Sequence, residues 1–326
     1  MGELILSVLV LAYNHEKYIQ KALDSILMQR LDFEYEIVVG EDCSTDATAD
    51  ILKEYDEKWP GRFRLLLRDK NLGMNENANA TRAACRGKYI AVLEGDDFWT
   101  DPLKLQKQLG FLEANKEFSA VVHKVAIVDE EGRPTAALPF KRFYNGSIYT
   151  IEHVEAGFMP GQAGSLVYRN IFKTMDAEKL RLFNECDCIT DAKIAMFLSL
   201  HGPIYCMDDV MGAYRRITSH GESWSAATKG ENLSLTYYRW VEERIRLAKA
   251  ITGRELEFKG LKSDIGYHAF VRWLKRPNNS NFSVFLKLYK KISAKPHLIW
   301  TIIKGTLGFP FRAAWRVMKN SLRSYE

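Results

Sequence analysis

Lys88-Tyr89-Ile90-Ala91-Val92-Leu93-Glu94-Gly95-Asp96-Asp97 decides the fold class: a short apolar run with strand character ends on three carboxylates within four residues. Working outward from it, the same alternation of apolar run and helical spacing fills the first hundred residues. Leu4 to Leu11 reads as a buried strand. After the Ala12-Tyr13-Asn14-His15 loop, Ile19, Ala22, Leu23, Ile26 and Leu27 recur at i, i+3, i+4, i+7, i+8, one face of a helix. Tyr35 to Gly40 is a second strand, Ser44-Thr45-Asp46 offers caps to a helix bearing Ile51, Leu52 and Tyr55, and Phe63 to Leu67 is a third strand. Asn75 to Arg86 is helical and leads into the quoted run as the fourth strand. Strand, helix, strand, helix predicts an α/β fold: a mainly parallel sheet, right-handed crossovers and helices on both faces.

In such sheets ligands bind beyond the carboxyl ends of the strands. Three strand ends carry dense polar chemistry: Tyr13-Asn14-His15-Glu16, Glu41-Asp42-Cys43-Ser44-Thr45-Asp46 and Glu94-Gly95-Asp96-Asp97. They are expected to converge on one edge. Neither GxGxxG after the first strand nor GxxxxGK[ST] occurs, which argues against dinucleotide and P-loop binding.

The chain has 326 residues, 47% hydrophobic and 27% charged, as in a soluble globular protein. Its net charge of +5 averages two unlike parts: residues 268–326 hold 12 basic residues against Glu326, +11, leaving 34 basic and 40 acidic residues before them, −6. Such a basic tail suits an anionic surface and argues against a nucleic-acid binder. Five cysteines without a CxxC pair fit a reducing compartment, and the short apolar start after Glu3 reads as a strand rather than a signal peptide. No apolar stretch is long enough for a transmembrane helix, so the expected location is cytoplasmic.

Beyond residue 115, Phe118 to Val128 is a strand candidate, Thr190-Asp191 opens a helix carrying Ile194, Phe197 and Leu198 that Gly202 closes, and Ile204 to Met207 is strand-like. From about Gly230 the pattern is helical. The chain therefore divides into 1–228, with halves 1–115 and 116–228, and a helical basic region, 229–326.

Glu94, Asp96 and Asp97 would repel one another without a cation, and a hard divalent ion, Mg²⁺ or Mn²⁺, meets that need with oxygen ligands and substrate phosphates. Asp101-Pro102 is assigned instead to capping the next helix.

Together the motifs resemble the GT-A glycosyltransferases of family 2: Val10-Leu11-Ala12-Tyr13-Asn14-His15-Glu16 as opening strand and loop, Glu41-Asp42-Cys43-Ser44-Thr45-Asp46 as the DDxSxD signature, Asn71-Leu72-Gly73 as the N-x-G turn and Glu94-Gly95-Asp96-Asp97 as the DxD motif. Glu41, Cys43 and Glu94 depart from the usual residues, with charge kept at both acids. The resemblance covers residues 4 to about 115. It implies that Asp42 accepts from a nucleobase imide, with Tyr13, Asn14 and Glu16 completing the base and ribose pocket. Ala12, Asn71, Glu94 and Gly95 join them around the nucleotide-sugar, and Asp96 and Asp97 hold the metal. An inverting transfer to a hydroxyl needs a base. By resemblance that base is Asp191, with Asp187 the second choice and Glu185 a distant third. Arg215 suits the diphosphate, His220 the metal shell, and Trp224 a sugar-stacking platform on the acceptor side.

In the tail, Phe311, Trp315, Met318 and Leu322 form a stripe beside Arg312, Arg316, Lys319 and Arg323, and Phe285, Leu288, Tyr289 and Ile292 repeat the design among Lys287, Lys290 and Lys291. This predicts an interfacial surface over 285–323 on anionic lipid at the inner face of the cell membrane, which would serve a lipid-linked acceptor. The alternative is helices docked on their own domain with a solvated basic face. For the whole chain the expectation is an inverting, metal-dependent transfer of a hexose from a UDP-sugar to a glycan. The alternatives are a retaining or nucleotidyl transferase and an inactive sugar-nucleotide-binding module.

Overall fold

Residues 6 to 12 alternate their side chains between two cores, as a strand's two-residue period requires. In the computed structural model, which describes residues 4–136, 142–217, 232–292, 298, 299 and 302, they form β1 (Leu6–Ala12). Val8 and Val10 enter one apolar cluster and Leu9 the other. The same division splits β2 (Tyr35–Glu41), with Ile37 and Val39 on one side and Val38 on the other, and β4 (Tyr89–Glu94), with Tyr89, Ala91 and Leu93 against Ile90. Each fully buried aliphatic side chain contributes about 1.5–3 kcal/mol, so a one-residue slip of any of these strands is excluded.

With β3 (Phe63–Leu67), β5 (Phe98–Trp99), β6 (Ala120–Val128), β7 (Ile148–Tyr149), β8 (Val167–Arg169) and β9 (Ile204–Arg215), they build a nine-stranded sheet of order β3-β2-β1-β4-β8-β6-β9-β5, with β7 also paired to β9. Pairs β1–β2, β1–β4, β2–β3 and β6–β9 are parallel; β8 runs antiparallel to β4 and β6, and β5 and β7 antiparallel to β9. The sheet is thus mixed and mainly parallel. Strand order reverses between β1 and β4, where a crevice must open beyond their carboxyl ends.

The early helices are α1 (Ile19–Leu27), α2 (Thr48–Lys58), α3 (Met74–Ala84) and α4 (Lys104–Ala114). Gly40 admits α3 against β2: a Cβ there would lie 2.0 Å from Thr81 Oγ1. Two start signals fall short of the helices they announce. Helix α2 begins at Thr48, whose N–H and hydroxyl both bond Asp46 Oδ1. Helix α4 begins at Lys104, and Asp101 instead accepts from the Leu103 N–H at 2.8 Å and from Lys107.

Between β6 and β9 come α5 (Ile151–Glu155), α6 (Ala177–Glu185) and α7 (Thr190–Ser199). Strand β9 runs eight residues past Met207; register shifts between His123 and Val125 in β6 accommodate the outward Asp208-Asp209 bend. Helices α8 (Ser234–Thr252), α9 (Lys259–Lys275) and α10 (Asn279–Lys291) follow.

The 285–292 stripe does not face lipid. Phe285, Leu288 and Ile292 are buried and Tyr289 packs against the same cluster, which runs from Leu9 and Val38 to the C-terminal helices. The Trp273 and Phe285 rings lie parallel at 6.3 Å. Apolar side chains that find a partner helix leave only the lysines at the surface. The 311–323 stripe lies outside the described residues.

Candidate active site

The loops after β1 and β2 are laced together by side chains that the sequence places thirty residues apart. Ser44 Oγ accepts from the Asn14 N–H at 3.0 Å, Asn14 Oδ1 from the Thr45 N–H at 2.8 Å, Asp46 Oδ2 from the Glu16 N–H and Glu16 Oε2 from the Ala47 N–H. Glu41 turns back to accept from the Cys43 and Ser44 amides. Asn14 and Cys43 both sit at left-handed φ, 54° and 61°, a conformation these bonds hold in place.

Asp42, nearly buried, accepts from the amides of Leu72 at 2.8 Å and Gly73 at 2.9 Å. The Asn71-Leu72-Gly73 turn is thereby fixed over the end of β2.

Beyond β4, oxygens of Glu94, Asp96 and Asp97 all lie within 4.8 Å of one another. Gly95 is required here because a Cβ would meet His15 Nδ1 at 2.6 Å, while its N–H donates to the Leu11 carbonyl at 2.8 Å. Asp97, 2% exposed, accepts from Gln162 Nε2 at 2.7 Å and from the Arg215 N–H at 2.7 Å; Gln162 also donates to Glu94. Burial, then the Asp96 and Glu94 charges, pushes the Asp97 carboxyl well above the usual range. Burial, then Asp191 and Asp96, does the same to Glu94. A hard cation reverses that penalty, since it favours the ionised carboxylates. An all-oxygen donor set of this kind suits Mg²⁺ or Mn²⁺.

Asp191 stands in the first turn of α7, where the helix dipole favours its charge. Asn75 at the start of α3 holds that turn, accepting from the Thr190 hydroxyl and donating to the Cys188 carbonyl. Asp191 lines the cleft with its side chain exposed there, and crowding by the protein around it pushes its carboxyl up to about 6.

These groups share a cleft of about 1620 Å³. Ala12, Tyr13, Asn14, Glu16 and Asp42 line it, as do Asn71, Glu94, Asp96, Asp191 and Arg215. Gly95 and Asp97 lie behind its wall and support it. Arg215 gives its Nε to the Asp96 carbonyl at 2.8 Å and its Nη1 to the carbonyls of Asp129 and Glu130, so its first task is to clamp the Asp96 loop. Asp187 is directed elsewhere, pairing with Arg239 at 3.0 Å at the surface, and Glu185 pairs with Arg181. His220 and Trp224 lie outside the described residues. Gln162 and Asn75 carry no motif, and only the folded chain brings them to the acids. Behind Glu94 and Asp191 lies a small apolar cavity of about 70 Å³.

Residues 7–173 match Glycosyl transferase family 2, and the chain belongs to that family. A Mycobacterium tuberculosis relative, Uncharacterized protein Rv1520, is 41% identical over 134 residues, 41% of this chain and 39% of the relative. TuaG of Bacillus subtilis, named as a candidate glycosyltransferase of teichuronic acid biosynthesis, is 36% identical over 108 residues, 33% of this chain and 42% of TuaG. The chain thus matches about two fifths of the length of these relatives. Among solved structures, Staphylococcus aureus TarS 1–349 in complex with UDP-GlcNAc aligns with TM-score 0.59 at 18% identity, covering 89% of this chain and 80% of that one. The fold is GT-A.

Proposed function

We propose that this protein is an inverting glycosyltransferase that moves a hexose from a nucleoside-diphosphate sugar, UDP-linked, to a hydroxyl of a glycan acceptor in surface-polysaccharide assembly. The observation that carries the reading is the shared cleft: Asp191 at the α7 N-terminus faces the Glu94 and Asp96 carboxylates beside the laced β1 and β2 loops. The TarS complex with UDP-GlcNAc supports the donor class, and TuaG supports the polysaccharide context.

Asp42 and the Asn71 turn, with Tyr13, Asn14 and Glu16, receive the nucleoside. Asp96 and Glu94, backed by Asp97, would hold Mg²⁺ or Mn²⁺, which when bound supplies positive charge to offset the departing diphosphate. Arg215 keeps the Asp96 loop in register. Asp191, ionised above about pH 6, takes the proton of the acceptor hydroxyl as that oxygen attacks the anomeric carbon. The new glycosidic bond forms while the sugar–phosphate bond breaks, and its electron pair leaves on the nucleoside diphosphate. Attack from the far face inverts the anomeric carbon. The residues beyond 302 bring the chain to an anionic membrane and a lipid-linked acceptor.

Anomeric configuration of the product, read by proton NMR with UDP-hexoses and Mn²⁺, tests this reading. Inversion together with loss of turnover in Asp191→Asn is expected. Retention, or an unchanged rate in that variant, overturns it.

A further inference from the structure

The cleft is electrically divided. Among its described lining residues every acid is Asp191 or belongs to the strand-end loops before residue 97, whereas the far wall carries Arg142, Arg244, Arg272, Lys275 and Arg276 without an acid among them. That wall comes largely from α8 and α9.

Arg244 is the central observation. It is 8% exposed, and its Nε meets no hydrogen-bond acceptor among the described residues. Its guanidinium lies 4.8 Å over the Phe258 ring, and no carboxylate pairs with it among the described residues. Burial works against its protonated form and outweighs the neighbouring Cys188, Tyr149 and Cys186, with Arg142 adding a smaller repulsion. Among the described residues the one carboxylate that Arg142 reaches is Asp264, at 3.8 Å on a half-exposed surface. An arginine buried without a counter-charge is costly unless a ligand supplies one. Guanidinium groups match phosphate oxygens in bidentate geometry. Phe158 and Tyr237, both exposed, line the same cleft with aromatic surface of the kind that packs on sugars.

We propose that this end of the cleft is the acceptor site and that the acceptor bears a phosphate, bound by Arg244 with Arg142. The inference rests on the glycosyltransferase reading and adds the chemical class of the acceptor. The phosphate belongs either to the glycan, as a phosphodiester, or to a lipid carrier, as a diphosphate.

The test uses the full chain and two probes, a glycerol-phosphate trimer and farnesyl diphosphate, titrated calorimetrically at low salt with and without saturating UDP. At least one probe should bind, its affinity should fall with added salt, and Arg244→Gln should weaken it at least tenfold while UDP binding stays within twofold. Trimer binding assigns the phosphate to the glycan, and farnesyl diphosphate binding assigns it to the carrier. Because Arg244 is buried, the exposed Arg142→Gln provides a second reading, expected to weaken the same probe at least threefold. Failure of both probes, or wild-type affinity in both variants, overturns the proposal. UDP is titrated separately, so a failed donor reading shows there and a failed acceptor reading shows in the phosphate probes.

Discussion

The backbone N–H of Arg215 donates to Asp97 Oδ1 at 2.7 Å, joining the last residue of β9 to the loop after β4 across 118 residues of sequence. The Arg215 side chain then holds the Asp96 carbonyl, so the end of β9 and the end of β4 meet on the acidic loop. Asp97→Ala leaves the Arg215 N–H without an acceptor and Gln162 Nε2 with Glu94 alone, and unfolding should lose about 2 kcal/mol. Asp96→Ala should unfold like the wild type yet lose the Mn²⁺-induced rise in Tm and the Mn²⁺-dependent hydrolysis of donor. Asp101→Ala should cost about 1 kcal/mol and keep activity. Equal Mn²⁺ response in all three variants would sink the metal assignment.

Gly95→Ala tests the close approach of the acidic loop to β1. Its Cβ meets His15 Nδ1 at 2.6 Å and the Leu11 carbonyl at 3.0 Å, and the carbonyl cannot move without disturbing the sheet. A loss of about 1–3 kcal/mol is expected from urea unfolding, with weaker Mn²⁺ binding. An unchanged midpoint would contradict the packing described.

Asp191 sets a pH dependence. Its folded-state carboxyl titrates near 6, above the ordinary 3.8, so the folded form binds the proton more tightly. The resulting stability is fully present below about pH 4 and is lost as pH rises through 6. In EDTA, Asp191→Asn should therefore match the wild type at pH 4 and exceed it at pH 7.5, by about 1 kcal/mol once screening at the accessible face is allowed for. The wild-type rate should rise with pH through the same region. A Tm difference independent of pH would refute this.

Asp42→Ala releases the Leu72 and Gly73 amides together. The Asn71 turn should loosen, with a stability loss of about 2 kcal/mol and UDP affinity at least tenfold weaker by calorimetry. Wild-type UDP affinity would remove Asp42 and its turn from the nucleotide site.

Truncation at His268 removes Phe270, Trp273, Phe282, Phe285 and Leu288 from the core and should abolish cooperative unfolding. Deleting only 303–326 takes the distal basic stripe. Sedimentation with anionic vesicles should then be lost; persistence would place membrane contact elsewhere.

By itself the sequence determined the alternation of β1 to β4 with their helices, because a strand buried on both faces must be apolar throughout and its polar loop must follow at once. It likewise marked the acids at three strand ends and Asp191 at a helix start. The charge split between residues 1–267 and 268–326 was also plain in it, but tertiary structure changed its meaning: α9 places Arg272, Lys275 and Arg276 in the cleft opposite the acids, and α10 turns its apolar stripe inward. The sequence already ranked Asp191 above Asp187; the fold adds that Asp191 lines the cleft, where Asn75 holds the start of α7, while Asp187 pairs with Arg239 at the surface. Gln162 and Arg244 bear no local pattern. The contacts of Gln162 with Glu94 and Asp97, and the burial that makes Arg244 a proposed phosphate ligand, come from residues far away along the chain, because hydrogen bonding and desolvation are set by neighbours in space.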